Sequence, residues 1–413
     1  MTGAMYAAIA GLKTHMSKMN VIGNNIANVN TSGYKTQRTI FKDALYTMYS
    51  SGSNGTTTVG GRNPSQIGYG SQVSSIDLNM STGTYAPGNP MDCMIYGDGF
   101  FLAGDKDVAN AIDPLNPTSL KSLSLTRVGD MDFRADGYLV DGSGGCMYGF
   151  LAVGVDPITG DPIMSDQLVP IRLPRMEKVW VDAAGIELNP QPTPDAIPDD
   201  ATEEYVIRWP QDRAVDENGA VTETAQRLVD YAPPADPDNP DAEVEPLPFV
   251  QLDGITIDKE TGRISGTTKD TDEWITIGFL AVGNVTNPNG LTHEGGFYYS
   301  ASDGAGDLQI SMLGGVEKDL RTRAGQMTHV NGSLYAAAAA AAGLPEDTAV
   351  QSDLLLLGSA GTTELITGGL EGSNVDLATE ISDMITTQRG YQANTRIITV
   401  TDTMLEELVN MKR

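Results

Sequence analysis

The sequence predicts a mostly β protein with paired N- and C-terminal α-helices: a coiled-coil-like terminal domain, a β middle domain and an inserted outer β-rich domain. Three observations predict it. Residues 2–27 and 375–409 carry apolar side chains spaced by three, four or seven. The sequence between them holds most of the 46 glycines and 22 prolines, with aromatics at 6% of the whole chain. Within that middle lies one acidic, proline-dense block. Helical stripes at both ends and short strands with many turns between them give this architecture.

The N-terminal stripe is Met5, Ile9, Leu12, Met16, Met19, Ile22 and Ile26, and the C-terminal one is Ile381, Met384, Tyr391, Ile398, Leu405 and Val409. Each is too narrow to close a globular core but suits a coiled-coil seam. Both are expected at an assembly interface. The first helix should end near Asn28, because the Asn30-Thr-Ser-Gly33 cluster competes with helical hydrogen bonds. Residues 1–50 and 372–413 are therefore assigned to the terminal helical domain. Residues 51–70 are Gly, Ser, Thr and Asn with few apolar side chains, which reads as a flexible linker.

Strand signals follow in Gln72–Leu78, in Met94-Ile-Tyr before a Gly97-Asp-Gly turn, in 137–142, in 254–258 and in Trp274–Val282. These assign 71–169 and 251–371 to a discontinuous β domain. Residues 170–250 read as an inserted outer domain. Its last sixty residues, 191–250, hold fifteen acidic side chains against three arginines, a net of −12, and ten prolines. Proline keeps such sequence out of central strands.

Composition narrows function. The net charge of −28 argues against nucleic acid, whose phosphates the field of the molecule would repel. No apolar run is long enough to span a bilayer, and the N-terminus lacks the pattern of a cleavable signal peptide. Cys93 and Cys146 are too few for a disulfide framework and read as free thiols, with a bridge between them as the alternative. Of three histidines, His15 falls between stripe positions and is expected at the surface, and His293-Glu lacks the second histidine of a zincin. Asp236-Pro-Asp-Asn-Pro-Asp241 lacks the central glycine and distal glutamate of a calcium loop. No catalytic, cofactor or metal site is assigned.

The distinctive polar residues are Asn24, Asn25, Asn28 and Asn30, which continue the first helix despite poor helix preference. Either they bond across helices and fix register, as a buried Asn does in coiled coils, or they form a polar helix end with a capping turn. Gln388 and Asn394 belong to a comparable polar stretch, Thr386–Asn394, expected to interrupt the C-terminal helix.

Gly11-Leu12 followed by Val21-Ile-Gly-Asn-Asn-Ile-Ala-Asn-Val-Asn-Thr-Ser-Gly-Tyr-Lys35 resembles the N-terminal signature of bacterial flagellar rod and hook proteins. Gly372-Ser-Asn-Val-Asp-Leu377, Gln388-Arg-Gly-Tyr-Gln-Ala-Asn394 and Leu408-Val-Asn-Met-Lys-Arg413 are similar to its C-terminal signature. Ile95-Tyr-Gly-Asp-Gly-Phe-Phe-Leu102 and Asn287-Pro-Asn-Gly-Leu291 resemble motifs of its β domain, whereas residues 170–248 match none. The large insertion is similar to the hook type rather than the distal rod type. The resemblance implies a homo-polymer, with the helices innermost in a tube, that meets flagellar rod, hook cap and hook-filament junction proteins. It also implies passage through the type III export apparatus to a place outside the cell. The competing reading is a secreted glycan-binding module or hydrolase, which the scattered Trp180, Trp209 and Trp274 support weakly.

Overall fold

In the computed structural model the described residues are 2–55, 57–106, 112, 120–155, 162–165, 168–182, 187–188, 201–210, 247–259, 261–312 and 363–411. The chain divides into two compact units, Met1–Thr84 with Gly372–Arg413, and Tyr85–Glu371. The third histidine, His329, the 236–241 loop and most of the acidic block lie outside the described residues.

The terminal unit contains α1 (Thr2–Ala27), β1 (Gln37–Asp43), β2 (Tyr46–Ser50), β3 (Ser65–Gly68), β4 (Ser71–Leu78) and α2 (Leu377–Asn410). A turn at 28–33 ends α1, and Gly33 takes φ 69°, a region open to glycine without a Cβ clash. β1 pairs antiparallel with β4 from Gln37↔Leu78 to Asp43↔Ser71, so residues 71–84 belong here and not to the β domain. Residues 51–70 are not a featureless linker. β2 and β3 pair antiparallel, and a bridge from Ser53 to Arg62 continues the hairpin. Backbone pairing, rather than apolar burial, organises this polar segment, and that leaves no hydrophobic signal to read. The hairpin holds Leu45, Tyr46, Met48, Tyr49 and Ile67 exposed.

α2 is continuous through the polar stretch 386–394. Thr387 faces inward, Asn394 is half-buried and Gln388 lies on the solvent face, so the stretch is divided between two faces rather than broken.

Among the described residues the second unit is built on a 13-stranded antiparallel sheet. Its central strands, Phe100–Gly104, Cys146–Val155 and Trp274–Val285, read as long apolar runs because both faces are covered. Their register sets Gly149 opposite Leu280 and Leu151 opposite Gly278. A Cβ at Gly278 would stand 2.6 Å from the Phe150 carbonyl oxygen, so only glycine permits that backbone approach. The core gathers Ile95, Phe101, Met147, Leu151, Val169, Ile171, Ile264, Ile277 and Leu280. Val169 and Ile171 therefore place the expected boundary at Pro170 inside the core. The described part of the acidic insertion, strands Arg175–Val181 and Thr202–Arg208, is not separate either: Met176, Ile207 and Trp209 pack with Val250 and Ile275 of the flanking sequence. Cys93 and Cys146 are free and buried, and burial pushes their thiols up to about 12 and about 11, which keeps them protonated and unreactive.

Arg127 and Glu371 are fully buried, with Nη1 and Oε2 3.6 Å apart. The guanidinium donates to Ile95 O at 3.2 Å and Gly97 O at 2.7 Å, and sits over the Phe100 ring. Burial lowers the Arg127 pKa while Glu371 opposes that shift. Removing one member of such a pair leaves a charge without its counterion. Glu371→Gln is expected to lower stability of this unit by about 3 kcal/mol, read from urea unfolding of the full chain.

Candidate assembly site

The two helices pair antiparallel within the terminal unit. As α1 runs from Gly11 to Asn25, α2 runs back from Asn394 to Glu380. A Cβ at Gly11 would stand 2.8 Å from Asn394, and one at Gly390 would stand 2.7 Å from the His15 ring. Lys18 meets Asp383 at 2.9 Å, and Asn25 Nδ2 donates to Glu380 Oε1 at 3.0 Å. Two reciprocal fits of a glycine against a larger side chain set the helices in one register.

The contact face of α1 is thus Ala8, Gly11, His15, Lys18, Ile22 and Asn25. The expected stripe of Met5, Ile9, Leu12, Met16, Met19 and Ile26 sits one residue later, rotated by about 100° around the helix. Of those residues Met16 is 50% exposed and the rest are half-buried; Ile22 alone of the expected set, with Asn25, lies on the paired face and is buried. Small side chains at the paired face let the backbones approach, and the bulky ones are displaced from it. The opposite flank of α1 meets the β1–β4 pair, where Gly70 packs on Ala7 and Ala10 and Thr14 shares a hydrogen bond with Ser71.

On α2, Met384, Asn394, Ile398 and Leu405 are half-buried, with Thr387 and Thr401 buried between them. Ile381, Gln388, Tyr391 and Val409, expected on the same seam, are exposed. Further apolar side chains also face solvent: Leu377, Ile385, Ile397, Val400, Met404, Leu408 and Met411. A groove of about 390 Å³ opens beside Ala4, lined by Arg396, Ile397, Val400, Thr401 and Met404.

Asn25 is 1% exposed and all its hydrogen-bonding capacity is used. Nδ2 donates to Gln37 O and Glu380 Oε1, while Oδ1 accepts from the Tyr34 hydroxyl and Gln37 N, all within 2.9–3.1 Å. Asn374 makes a second junction: Oδ1 accepts from Thr36 N and Oγ1, and Nδ2 donates to Asn79 O and to Ser81 O and Oγ. The buried Lys35 ammonium donates to the same Ser81 carbonyl. Asn24 and Asn28 cap locally: Asn24 Nδ2 donates to the Tyr34 hydroxyl, and Asn28 Nδ2 donates to Asn24 O while its Oδ1 accepts from Thr31. Asn30 is exposed. The asparagines thus divide between the two readings, with Asn25 bonding across helices and Asn24 and Asn28 forming the turn.

His15 is not a surface residue. Its ring lies against Gly390 and edge-on to Phe41, 6.1 Å between centroids, with Nδ1 buried. Burial and then Lys18 lower its pKa. Glu380 moves the other way: burial raises its pKa against the lowering by the Asn25 hydrogen bond. Asp376 caps α2 by accepting from Ala378 N and Thr379 Oγ1; the Thr379 bond, then that from Ala378, hold its carboxyl below the usual range. Among the described residues no three His, Cys, Asp or Glu side chains gather into a group that could hold a metal, and no helix is long and apolar enough to cross a membrane.

The central residues of these junctions, Asn25, Tyr34, Asn374 and Glu380, fall within two family matches. Residues 5–35 match the flagella basal body rod protein family, and 366–411 match the C-terminal family of flagellar basal body rod FlgEFG proteins. Over full length on both sides the chain is 26% identical to the flagellar hook protein FlgE of Borreliella burgdorferi and 27% identical to the flagellar basal-body rod protein FlgG of Bacillus subtilis. It is 26% identical to the hook protein FlgE of Salmonella typhimurium, covering 98% of this chain and 99% of that one.

These matches support assignment to the flagellar hook and basal body rod family.

Both family segments fall in the terminal unit apart from the few residues before Gly372, so the family signature marks the paired helices and the Asn25 and Asn374 junctions.

Asn25→Ala is expected to destabilise the terminal unit by about 1–3 kcal/mol, because Glu380 and the Gln37 amide lose a buried partner. Asn25→Asp is expected to cost more at neutral pH, since it sets a carboxylate on Glu380; helix loss in urea, followed by circular dichroism, reads both. A second expectation concerns pH. The lowered His15 pKa means the unfolded chain takes up a proton first, so stability falls as pH drops below about 6.5. Glu380, being raised, gives stability back as pH falls further through its folded value. His15→Gln should remove the first loss and leave the second gain, as measured by the urea midpoint from pH 7.5 to 4.5.

Proposed function

We propose that the chain is the structural subunit of the flagellar hook, assembling head-to-tail into a curved helical tube that transmits torque from the rod to the filament. It does no covalent chemistry; its work is mechanical. The observation that carries this reading is the open apolar surface on helices whose inner faces are already satisfied. Met16, Ile381, Ile385, Ile397, Val400, Met404 and Leu408 project to solvent from the segments that match the family. A patch of that extent on a soluble monomer marks a surface made for a partner. Copies of one chain joined through two different faces grow as an open array when the rotation between them does not close a ring. Full-length similarity to hook proteins supports the same conclusion.

In this reading the antiparallel pair acts as one coiled-coil-like strut, and neighbouring struts bury the stripe of α1 and the open face of α2 in the wall of the tube. The chain leaves the cell through the type III export apparatus and meets rod, hook cap and hook-filament junction proteins at the ends of the polymer. The full-length match to a basal-body rod protein supports a second reading, a distal rod subunit.

Purified protein is expected to form tubes with a central channel by negative-stain electron microscopy, and immunogold label should fall on the curved segment outside the outer rings. Label confined to the straight segment within the rings would favour the distal rod. Ile385→Glu and Val400→Asp, both at exposed sites, should leave the monomer's urea midpoint unchanged and lower tube yield by about tenfold or more, the effect of losing ~1.4 kcal/mol per contact. Tubes forming at full yield in both variants would sink the proposal.

A further inference from the structure

Among the described methionines the buried and the exposed ones separate by unit, while Met80 of the terminal unit and Met91 of the other are half-buried. Met94, Met131, Met147 and Met176 are buried, and all lie in Tyr85–Glu371. Met16, Met48, Met404 and Met411 are 50–85% exposed, and all lie in the terminal unit. Met5, Met19 and Met384 of the same helices are half-buried. Methionine is thus at its most accessible on the terminal helices and on the β2–β3 hairpin, and shielded where it packs a core.

Methionine suits an adaptable docking surface because it is unbranched and polarisable. The same thioether is the group in a helix that peroxide oxidises most readily after a thiol, and both cysteines here are buried and held protonated. From these placements we infer that Met16, Met404 and Met411 form an oxidation-sensitive switch on the assembly surface: their sulfoxides block subunit docking, and reduction restores it. This rests on the proposed assembly through the terminal helices.

The chemistry is a two-electron oxygen transfer. A sulfur lone pair attacks one oxygen of hydrogen peroxide, the O–O bond breaks, the S–O bond forms, and the peroxide is reduced to water. The oxidation needs no other co-reactant; the reversal takes two electrons and two protons from an added dithiol through a methionine sulfoxide reductase and releases the oxygen as water. The product is a polar, chiral sulfoxide in place of an apolar side chain. In the free subunit it stands in water at little cost. In an assembled tube it would need a hydrogen-bond donor inside an apolar contact. Oxidation therefore penalises the polymer and spares the fold. Met404 lines the groove beside Ala4, where an added oxygen also fills space a neighbour would occupy.

The test uses the full chain. Monomer is treated with hydrogen peroxide, the peroxide is removed, oxidised sites are mapped by peptide mass, and tube yield is compared with the untreated control by sedimentation and electron microscopy. Oxygen is expected on Met16, Met404 and Met411, and on Met48 of the hairpin, which the variant below retains, and not on Met94, Met131 or Met147. Tube yield should fall about tenfold, at an unchanged urea midpoint, and recover after methionine sulfoxide reductases specific for both epimers. The variant M16L/M404L/M411L, scored against its own untreated control, should lose less than about twofold, the spread expected when no contact of ~1.4 kcal/mol is changed. Equal sensitivity of wild type and variant, or full tube yield from oxidised wild type, overturns the switch while leaving the assembly reading intact. Absence of tubes in the untreated control overturns the assembly reading and the switch with it.

Discussion

The terminal unit depends on one buried amide. Asn25 sits inside a helix where its intrinsic preference is poor, and it is stable there only because four hydrogen bonds reach it from Tyr34, Gln37 and Glu380. Those partners belong to the turn after α1, to β1 and to α2, the last 355 residues away along the chain. If any of these elements is missing, a buried donor or acceptor is left without a partner, at a cost comparable to a large part of the stability of a small domain. Asn374 imposes the same condition from the other end, by binding Thr36 and the segment after β4. Polar satisfaction, more than apolar burial, is what makes the two chain ends fold as one piece.

The division of labour on α1 fits the proposed assembly, in which the helix would serve two interfaces. A helix that packed its largest side chains against α2 would have nothing left with which to hold a neighbour. Here the paired face is lined by Ala8, Gly11, His15, Ile22 and Asn25, and the methionines with Ile9 and Ile26 stand about a quarter turn away. Glycine within a helix costs about 1 kcal/mol relative to alanine. Close packing of Gly11 on Asn394 and of Gly390 on His15 recovers part of that and sets the register. The helix pair is accordingly well specified and weakly buried, which suits a subunit that gains its remaining stability from copies of itself.

Much of this was legible in the residues. The end of α1 at the Asn-rich turn, the strand at 72–78, the glycine turn before Phe100 and the buried run from Trp274 each carried a local signal with a backbone cause. The phase of the α1 seam was not legible, because the larger apolar stripe outweighs a face made of Ala, Gly, His and Asn in any reading by hydrophobicity. The hairpin of β2 and β3 was hidden for a related reason: its composition is that of a linker, and only cross-strand pairing distinguishes the two. His15 looked like a surface residue since nothing in its own helix announces Phe41 and Gly390. In each case the missing information resided in a distant segment.

Native-state hydrogen exchange of the full chain in increasing, sub-denaturing urea tests the central claim most directly. If the asparagine junctions make the chain ends one cooperative element, the amides at 20–27 of α1 and at 380–390 of α2 should open together, with one free energy and one urea dependence. If α1 instead opens at lower free energy while α2 keeps its protection, the ends fold independently and the account is wrong.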